Sequence, residues 1–145
     1  MKYAFYGWES ADVKPVGKGY EKVKNQCDLY DLLSSIWCEY SCAPRYRSEW
    51  SEENKTLGQC SITAFLAQDV FGGKVYGVPL PEGGFHCYNV VGESLFDLTS
   101  EQFGNVKLVY DEKNEQSREE HFLSDEKRAR YDYLCREVKR SLAKR

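Results

Sequence analysis

The chain has 145 residues, enough for one domain with one sizeable hydrophobic core. Hydrophobic residues make up 41% and charged residues 30%, values of a folded globular protein rather than a disordered one. The net charge of −3 argues against nucleic acid or an anionic membrane as partner, and no apolar stretch is long enough for a transmembrane helix. The first ten residues lack the apolar core of a secretory signal, so we expect a cytoplasmic protein.

The first predicted helix follows an irregular or extended start of the chain. Leucine, isoleucine and tryptophan recur at helical spacing over about residues 27–41, and Asn25 or Asp28 is suited to cap the helix start. Cys38 and Cys42 would then stack on one helix face, which can hold a metal ion, although the second half of a zinc site is not evident. In a reducing compartment, most of the six cysteines are expected to be buried thiols.

The second predicted helix begins at or near Cys60, after the polar loop 43–58. One face carries an apolar stripe, and on another face Ala64 and Ala67 have only small side chains. A helix with small or apolar side chains on two faces is typical of the centre of a fold. The pair Gly72-Gly73 is predicted to end this helix.

Short antiparallel strands are predicted next, separated by turn residues. Their ranges are 74–80, 85–91 and 94–99, and a further strand is predicted at about 106–110. Gly92-Glu93 forms the turn between the second and third strands, which makes these two a hairpin.

The last part of the chain is predicted to be a loop followed by a helix. Residues 111–123 are acidic and mostly polar, which indicates a loop with His121 on the surface. An amphipathic helix is expected over about 124–143, and its basic residues fit a solvated face rather than a nucleic-acid interface. The order helix, helix, antiparallel strands, helix predicts an α+β fold, with helices packed on a small sheet. We expect a single domain, residues 1–145, with its core at about 25–110.

Cys60 is the candidate nucleophile, because a thiol at a helix N-terminus, or beside an imidazolium, ionises more easily. A hairpin loop with an even number of residues would pair Val91 with Ser94. That register places four polar side chains on one face of the sheet: His86, Tyr88, Asp97 and Thr99. An odd loop length would put the histidine and the aspartate on opposite faces.

These residues match the nucleophile, base and orienter of covalent catalysis. Asp97 would hold the tautomer of His86, and His86 would deprotonate Cys60 and then protonate the leaving group. The backbone N–H of Cys60 and the side-chain amide of Gln59 are candidate oxyanion donors, and Tyr88 is expected to line the site. The same residues also fit a buried thiol, a core histidine and a strand-end cap, so the pattern leaves both interpretations open.

The loop before Cys60 carries two further candidates for substrate binding. Arg45 or Arg47 could meet a carboxylate or phosphate of the substrate, with Trp50 beside them as part of a lip over the site. The alternative is a surface loop with Trp50 folded onto the core.

Four segments resemble a known family. These are "CAPRYRSEW", "ENKTLGQCSITAFLAQDVFGG", "GGFHCYNVVGESLFDLTSEQF" and, more loosely, "RARYDYLCREV". They resemble the YunG-like family of uncharacterised bacterial proteins, which looks like a compact relative of papain-like, NlpC/P60-like cysteine hydrolases. In that fold a cysteine opens a helix packed on an antiparallel sheet, and a histidine and a polar orienter come from neighbouring strands. Cys60, His86 and Asp97 take those places in the same order.

Three functions follow as hypotheses. The first is a cofactor-free cysteine hydrolase or acyl transferase that acts on an amide or thioester-like bond of a small-molecule or peptide substrate. The second is a non-catalytic binding or interaction module on the same fold. The third is a zinc site formed by Cys60, His86 and Asp97, since thiolate, imidazole and carboxylate all bind zinc.

Overall fold

A computed structural model describes residues 3–145, so the first two residues of the predicted irregular start lie outside the described part. The regular elements in chain order are α1 (Gln26–Ser34), α2 (Cys60–Phe71), β1 (Lys74–Pro79), β2 (Phe85–Val91), β3 (Ser94–Phe96), α3 (Arg118–His121) and α4 (Asp125–Ala143). Short 3-10 helices lie at Trp8–Ser10, Pro44–Glu49 and Ser100–Phe103. The predicted α+β class is confirmed.

The sheet has three antiparallel strands in the order β1-β2-β3. Val91 pairs with Ser94 and Asn89 with Phe96, which is the predicted even-loop register. β3 is shorter than predicted, because Asp97 pairs with Tyr6 of the N-terminal segment, whose carbonyl accepts the Asp97 N–H at 3.0 Å. The β2 edge over residues 85–88 is therefore not covered by β3.

Helix α2 lies at the centre of the fold, as its two apolar faces predicted. It contacts β1 and β2 on one side and α4 on the other. Ile62, Phe65, Leu66 and Val70 are fully buried. The helix begins at Cys60 and ends at Phe71, and the next residue, Gly72, has a φ of 82° that favours glycine.

Helix α1 begins as predicted but ends seven residues early. Asn25 caps it by accepting the backbone N–H of Asp28 at 2.9 Å. The chain then turns, which buries Trp37 against α2, where the indole N–H donates to Thr63 at 3.0 Å. The prediction that Cys38 and Cys42 share a helix face is wrong, because both residues follow this turn.

The predicted strand at 106–110 is not a strand in the structure. Val106 and Val109 are 66% and 70% exposed, so these two apolar side chains do not pack on the core. Only tertiary contacts could distinguish this segment from a short strand, because β-propensity depends on a neighbouring strand.

The polar segment after it contains α3, and His121 is not on the surface as predicted. Its side chain is only 8% exposed, because α3 turns the ring onto Phe65 with ring centroids 4.7 Å apart. The following helix α4 starts where predicted, and Ser124 caps it by accepting the N–H of Lys127. In the part of the chain that the structure describes, no helix has the length and apolar character needed to cross a membrane.

Candidate functional site

The Cys60 thiol lies at the N-terminal end of α2, where unpaired backbone N–H groups favour negative charge. The backbone just before Cys60 is closely packed against its neighbours. Gly58 has a φ of 71°, and a Cβ there would lie 2.5 Å from the sulfur of Cys42. Cys60 is half-buried, and its sulfur faces the uncovered edge of β2, 3.9 Å from the carbonyl of Phe85.

His86 and Asp97 form a buried pair, each only 1% exposed. The His86 Nε2 lies 2.6 Å from the Asp97 Oδ2. Asp97 also accepts the hydroxyl of Tyr110 at 2.8 Å and the backbone N–H of Thr99 at 3.2 Å. Because Nε2 is engaged by the carboxylate, Nδ1 is the nitrogen that remains for a thiol or a substrate.

The electrostatics of the site favour a charged pair. Hydrogen bonding from Cys87 and from His86 holds the pKa of the Cys60 thiol well below its usual value, although burial opposes this. Burial lowers the pKa of His86, but the Asp97 carboxylate and Cys60 outweigh it and raise that pKa to about 10. Both shifts act in the direction of a Cys60 thiolate beside a His86 imidazolium.

Cys87 is a core thiol that also lines the cavity, and the sequence alone indicates only the first of these two positions. It lies on the opposite face of β2 from His86, but that face packs on α2. Cys87 contacts the buried cluster that includes Ala64, one helical turn after Cys60. Both thiols line the same cavity, and the contact with Cys60, together with burial, raises the pKa of Cys87 well above its usual value.

Replacing Cys87 tests directly how much it contributes to the lowered pKa of Cys60. In Cys87→Ala, the pKa of Cys60 is expected to rise, because the largest stabilising hydrogen bond to the thiolate is lost. Each unit of this rise lowers the alkylation rate of Cys60 about tenfold at pH values below both pKa values. The measurement is the alkylation rate of Cys60 against pH, with the modified cysteine identified by mass spectrometry.

Cys87→Ser keeps a hydrogen-bond donor and is expected to recover much of the alkylation rate. An unchanged Cys60 profile in Cys87→Ala would remove Cys87 from the site.

The thiol opens into a cavity of about 550 Å³. The wall combines the catalytic candidates Cys60 and His86 with residues from the loop after Ala43, the β1–β2 turn and the start of α4. A volume of this size lies within the range of small-molecule sites.

Two of the predicted auxiliary residues do not reach this cavity. Gln59 is fully buried, and its side-chain amide donates to the carbonyl of Cys38 at 3.1 Å, so the predicted oxyanion role of its amide is wrong. Tyr88 shares the His86 face as predicted, but it is fully buried, and its hydroxyl accepts the N–H of Glu112 at 2.8 Å. Gln102 does line the cavity, and no local sequence pattern indicated it.

The three loop residues predicted to bind substrate, Arg45, Arg47 and Trp50, differ in their position relative to the cavity. Arg45 lines the cavity and donates to the carbonyl of Gly83 at 3.2 Å. Arg47 does not line it, because its guanidinium donates to three backbone carbonyls between residues 39 and 42 and so holds the loop in place. Trp50 is half-buried and donates to the carbonyl of Lys55 at 3.0 Å. Of the predicted substrate contacts, only Arg45 is at the site.

His121 and Ser61 form a second polar pair in the cavity wall. The His121 Nε2 lies 3.0 Å from the Ser61 hydroxyl, and both residues line the cavity. Burial, Lys127 and two nearby arginines lower the pKa of His121 to about 4, so the ring is neutral at pH 7. The sequence carries no local signal for this contact, because 60 residues separate the pair.

The hypothetical zinc ligands do not converge on one point. Within residues 3–145, no group of three or more His, Cys, Asp or Glu side chains is placed to hold a metal ion. The Asp97 carboxylate is hydrogen-bonded to the Nε2 of His86, and the Cys60 thiol also lies close to the His86 ring. A single ion between all three would require the Asp97 hydrogen bond to break.

Comparison with known proteins gives one family. The sequence profile of the family described as YunG protein matches residues 25–143. A relative from Bacillus subtilis (strain 168), named Uncharacterized protein YunG, is 36% identical over 103 residues, which cover 71% of this chain and 82% of the relative. No solved structure matches the chain. The profile match runs from the cap of α1 to the end of α4 and includes Cys60, His86 and Asp97.

Proposed function

The chain belongs to the YunG family, and we propose that it is a cysteine hydrolase or acyl transferase acting on an amide or thioester-like bond. The observation that carries this proposal is the pairing of a half-buried thiol of lowered pKa with a buried histidine held by a carboxylate, all beside an open cavity. Nucleophilic catalysis by cysteine needs these three features together.

In the first half of the proposed reaction, the Cys60 sulfur attacks the carbonyl carbon of the substrate. The electron pair of the C=O bond moves to oxygen, and the backbone N–H of Cys60 at the start of α2 is a donor for that oxyanion. The oxyanion then re-forms the C=O bond as the C–N or C–S bond breaks, and His86 gives its Nδ1 proton to the leaving amine or thiol. The product of this half is an acyl thioester on Cys60.

In the second half, water or another nucleophile attacks the thioester. His86 takes the proton of that nucleophile, and the bond between Cys60 and the acyl carbon breaks. A carboxylic acid leaves if the nucleophile is water, and a transferred acyl product leaves otherwise. The thiolate and the imidazolium are then restored; Asp97 stabilises the imidazolium when it is present and keeps the ring oriented when it is neutral.

The finer fold assignment is part of the same proposal. A cysteine at the start of a central helix, packed on an antiparallel sheet that carries the histidine, supports a compact papain-like, NlpC/P60-like core. The chain order Cys60, His86, Asp97 supports it too.

The deciding experiment is the rate of iodoacetamide alkylation of Cys60 against pH. Because the pKa of Cys60 is lowered, the rate is expected to remain high at about pH 6, where an ordinary thiol is protonated. In His86→Ala, the profile should move toward that of a free cysteine, near about pH 8.5. Cys135→Ala is the matched control, since that thiol is half-buried and does not line the cavity. A folded protein whose Cys60 does not react would rule out the catalytic proposal.

The other two interpretations predict different results. A binding module would retain its partner or phenotype in Cys60→Ala, whereas the hydrolase would lose all turnover of amide and thioester test substrates. A zinc site would yield stoichiometric zinc on elemental analysis of the purified protein, and the metal would be lost in Cys60→Ala.

A further inference from the structure

The cations around α3 and the start of α4 differ in their partners. Three arginines are each paired with a carboxylate: Arg118 with Asp69 at 2.9 Å, Arg128 with Asp132 at 3.8 Å, and Arg130 with Glu126. Lys127 lies among them and lines the cavity, but no carboxylate of residues 3–145 forms a salt bridge with it. The side chain is exposed, so its charge is available to a ligand.

The charge of Lys127 acts on the cavity itself. It contributes to lowering the pKa of His121, after burial, and it opposes the rise in the pKa of Cys87. The part of this effect that comes from Lys127 and the neighbouring arginines is a positive potential, which favours an added anion as it disfavours an added proton.

The neighbouring polar atoms can hold an anionic group. Ser61 occupies the first turn of α2, which has no acidic residue and no side-chain cap. His121 contacts the Ser61 hydroxyl through Nε2, while its Nδ1 is buried and has no partner within the described residues. When Nε2 carries the proton of the neutral ring, it donates to the Ser61 oxygen, and the Ser61 O–H is then free to donate to an anion.

The acidic residues of the cavity wall among the described residues, Glu82 and Glu126, each have a partner. Glu126 is bound to Arg130, and Glu82 accepts the hydroxyl of Tyr46 on the loop that carries Arg45. Within residues 3–145, the cations of the wall that have no ion-pair partner are Lys127 beside Ser61 and His121, and Arg45 on the loop after Ala43.

We propose that Ser61, His121 and Lys127 form an anion-binding subsite that receives a free carboxylate of the substrate, beside the bond that Cys60 attacks. This inference rests on the proposed hydrolase function and specifies its substrate class: amides or thioesters that carry a carboxylate near the scissile bond, as in derivatives of dicarboxylic acids or acidic amino acids.

The test compares two alkylating agents of similar size, anionic iodoacetate and neutral iodoacetamide, on Cys60 of the full chain. Both react with the same thiolate, so the ratio of their rate constants cancels any change in the pKa of Cys60. Lys127→Gln is expected to lower the iodoacetate-to-iodoacetamide ratio about two- to fivefold, the effect of one partly solvated charge pair. Added salt should reduce the difference. Arg128→Gln is the matched control on the same helix, since Arg128 is bound to Asp132 and does not line the cavity.

A ratio that is the same in wild type and Lys127→Gln overturns the subsite. A ratio that falls in Arg45→Gln but not in Lys127→Gln overturns it too, because the anion would then bind at the opposite wall. If Cys60 reacts with neither reagent, the proposed function fails, and the subsite is decided by a second measurement.

That measurement is a succinate titration followed by NMR of the histidine rings, of which the chain has two. A carboxylate bound at the subsite is expected to raise the pKa of His121, because it offsets the neighbouring cations. The shift should be lost in Lys127→Gln and kept in Arg128→Gln. A His121 signal that does not respond to succinate in wild type overturns the inference, whatever the reactivity of Cys60.

Discussion

Asp97→Asn is expected to lower the turnover of the proposed enzyme by about 10²–10⁴-fold, the range for a lost acid–base function. The carboxylate is 1% exposed and lies 2.6 Å from the His86 Nε2, where it helps to raise the pKa of His86 to about 10. An amide there carries no charge, so the pKa of His86 falls and the imidazolium–thiolate pair is no longer favoured. An amide N–H facing Nε2 would also force the wrong tautomer.

The measurements for Asp97→Asn are the pH profile of turnover and the alkylation rate of Cys60, which needs no substrate. The alkaline limb of the turnover profile reports deprotonation of His86 and should move to lower pH in the variant. Tyr110→Phe is the matched control, because it removes one hydrogen bond to Asp97 and keeps the charge. If Asp97→Asn behaves like Tyr110→Phe, with a loss of about tenfold or less, Asp97 caps the end of β3 and does not orient a catalytic histidine.

Phe65→Ala is expected to lower the free energy of unfolding by about 3–5 kcal/mol. Phe65 is fully buried in the face of α2 that meets the sheet, and its ring packs on His121 and Phe122 at centroid distances of 4.7 and 5.7 Å. Removing the ring leaves a void between three elements that cannot all move together to fill it.

Urea denaturation at neutral pH measures this loss, and the slope of the transition shows whether unfolding stays two-state. Phe85→Ala is the control for stability, because that ring is 41% exposed, and its loss should cost less than about 1 kcal/mol. If Phe65→Ala does not fold, Phe65→Leu keeps most of the volume and should cost less than about 1.5 kcal/mol. A loss below about 1 kcal/mol in Phe65→Ala would mean that α3 is not docked on α2 as described.

Local sequence patterns were sufficient to predict the structure where a single helix, strand or turn determines it. Gly72 ends α2 because its positive φ suits glycine, and the even hairpin loop between β2 and β3 puts His86 and Asp97 on one face. These features depend on neighbours close in sequence, so backbone geometry alone can predict them.

Contacts between distant segments were not predictable in the same way. The segment at 106–110 has the composition of a strand but no partner strand, and Tyr110 instead donates to Asp97. Gln59 turns toward Cys38 because the chain folds back after α1, and nothing within a few residues of Gln59 signals that turn.

The sequence by itself determined the α+β class, the start of α2 at Cys60 and the shared face of His86 and Asp97, because each follows from helix caps, turn residues and strand alternation. Only the tertiary structure decided that Cys87 lines the same cavity as Cys60, that His121 is buried against Ser61, and that Lys127 has no carboxylate partner within the described residues. Packing of α2, α3 and α4 onto the sheet brings these side chains together across as many as 60 residues of chain, and no local spacing carries that information.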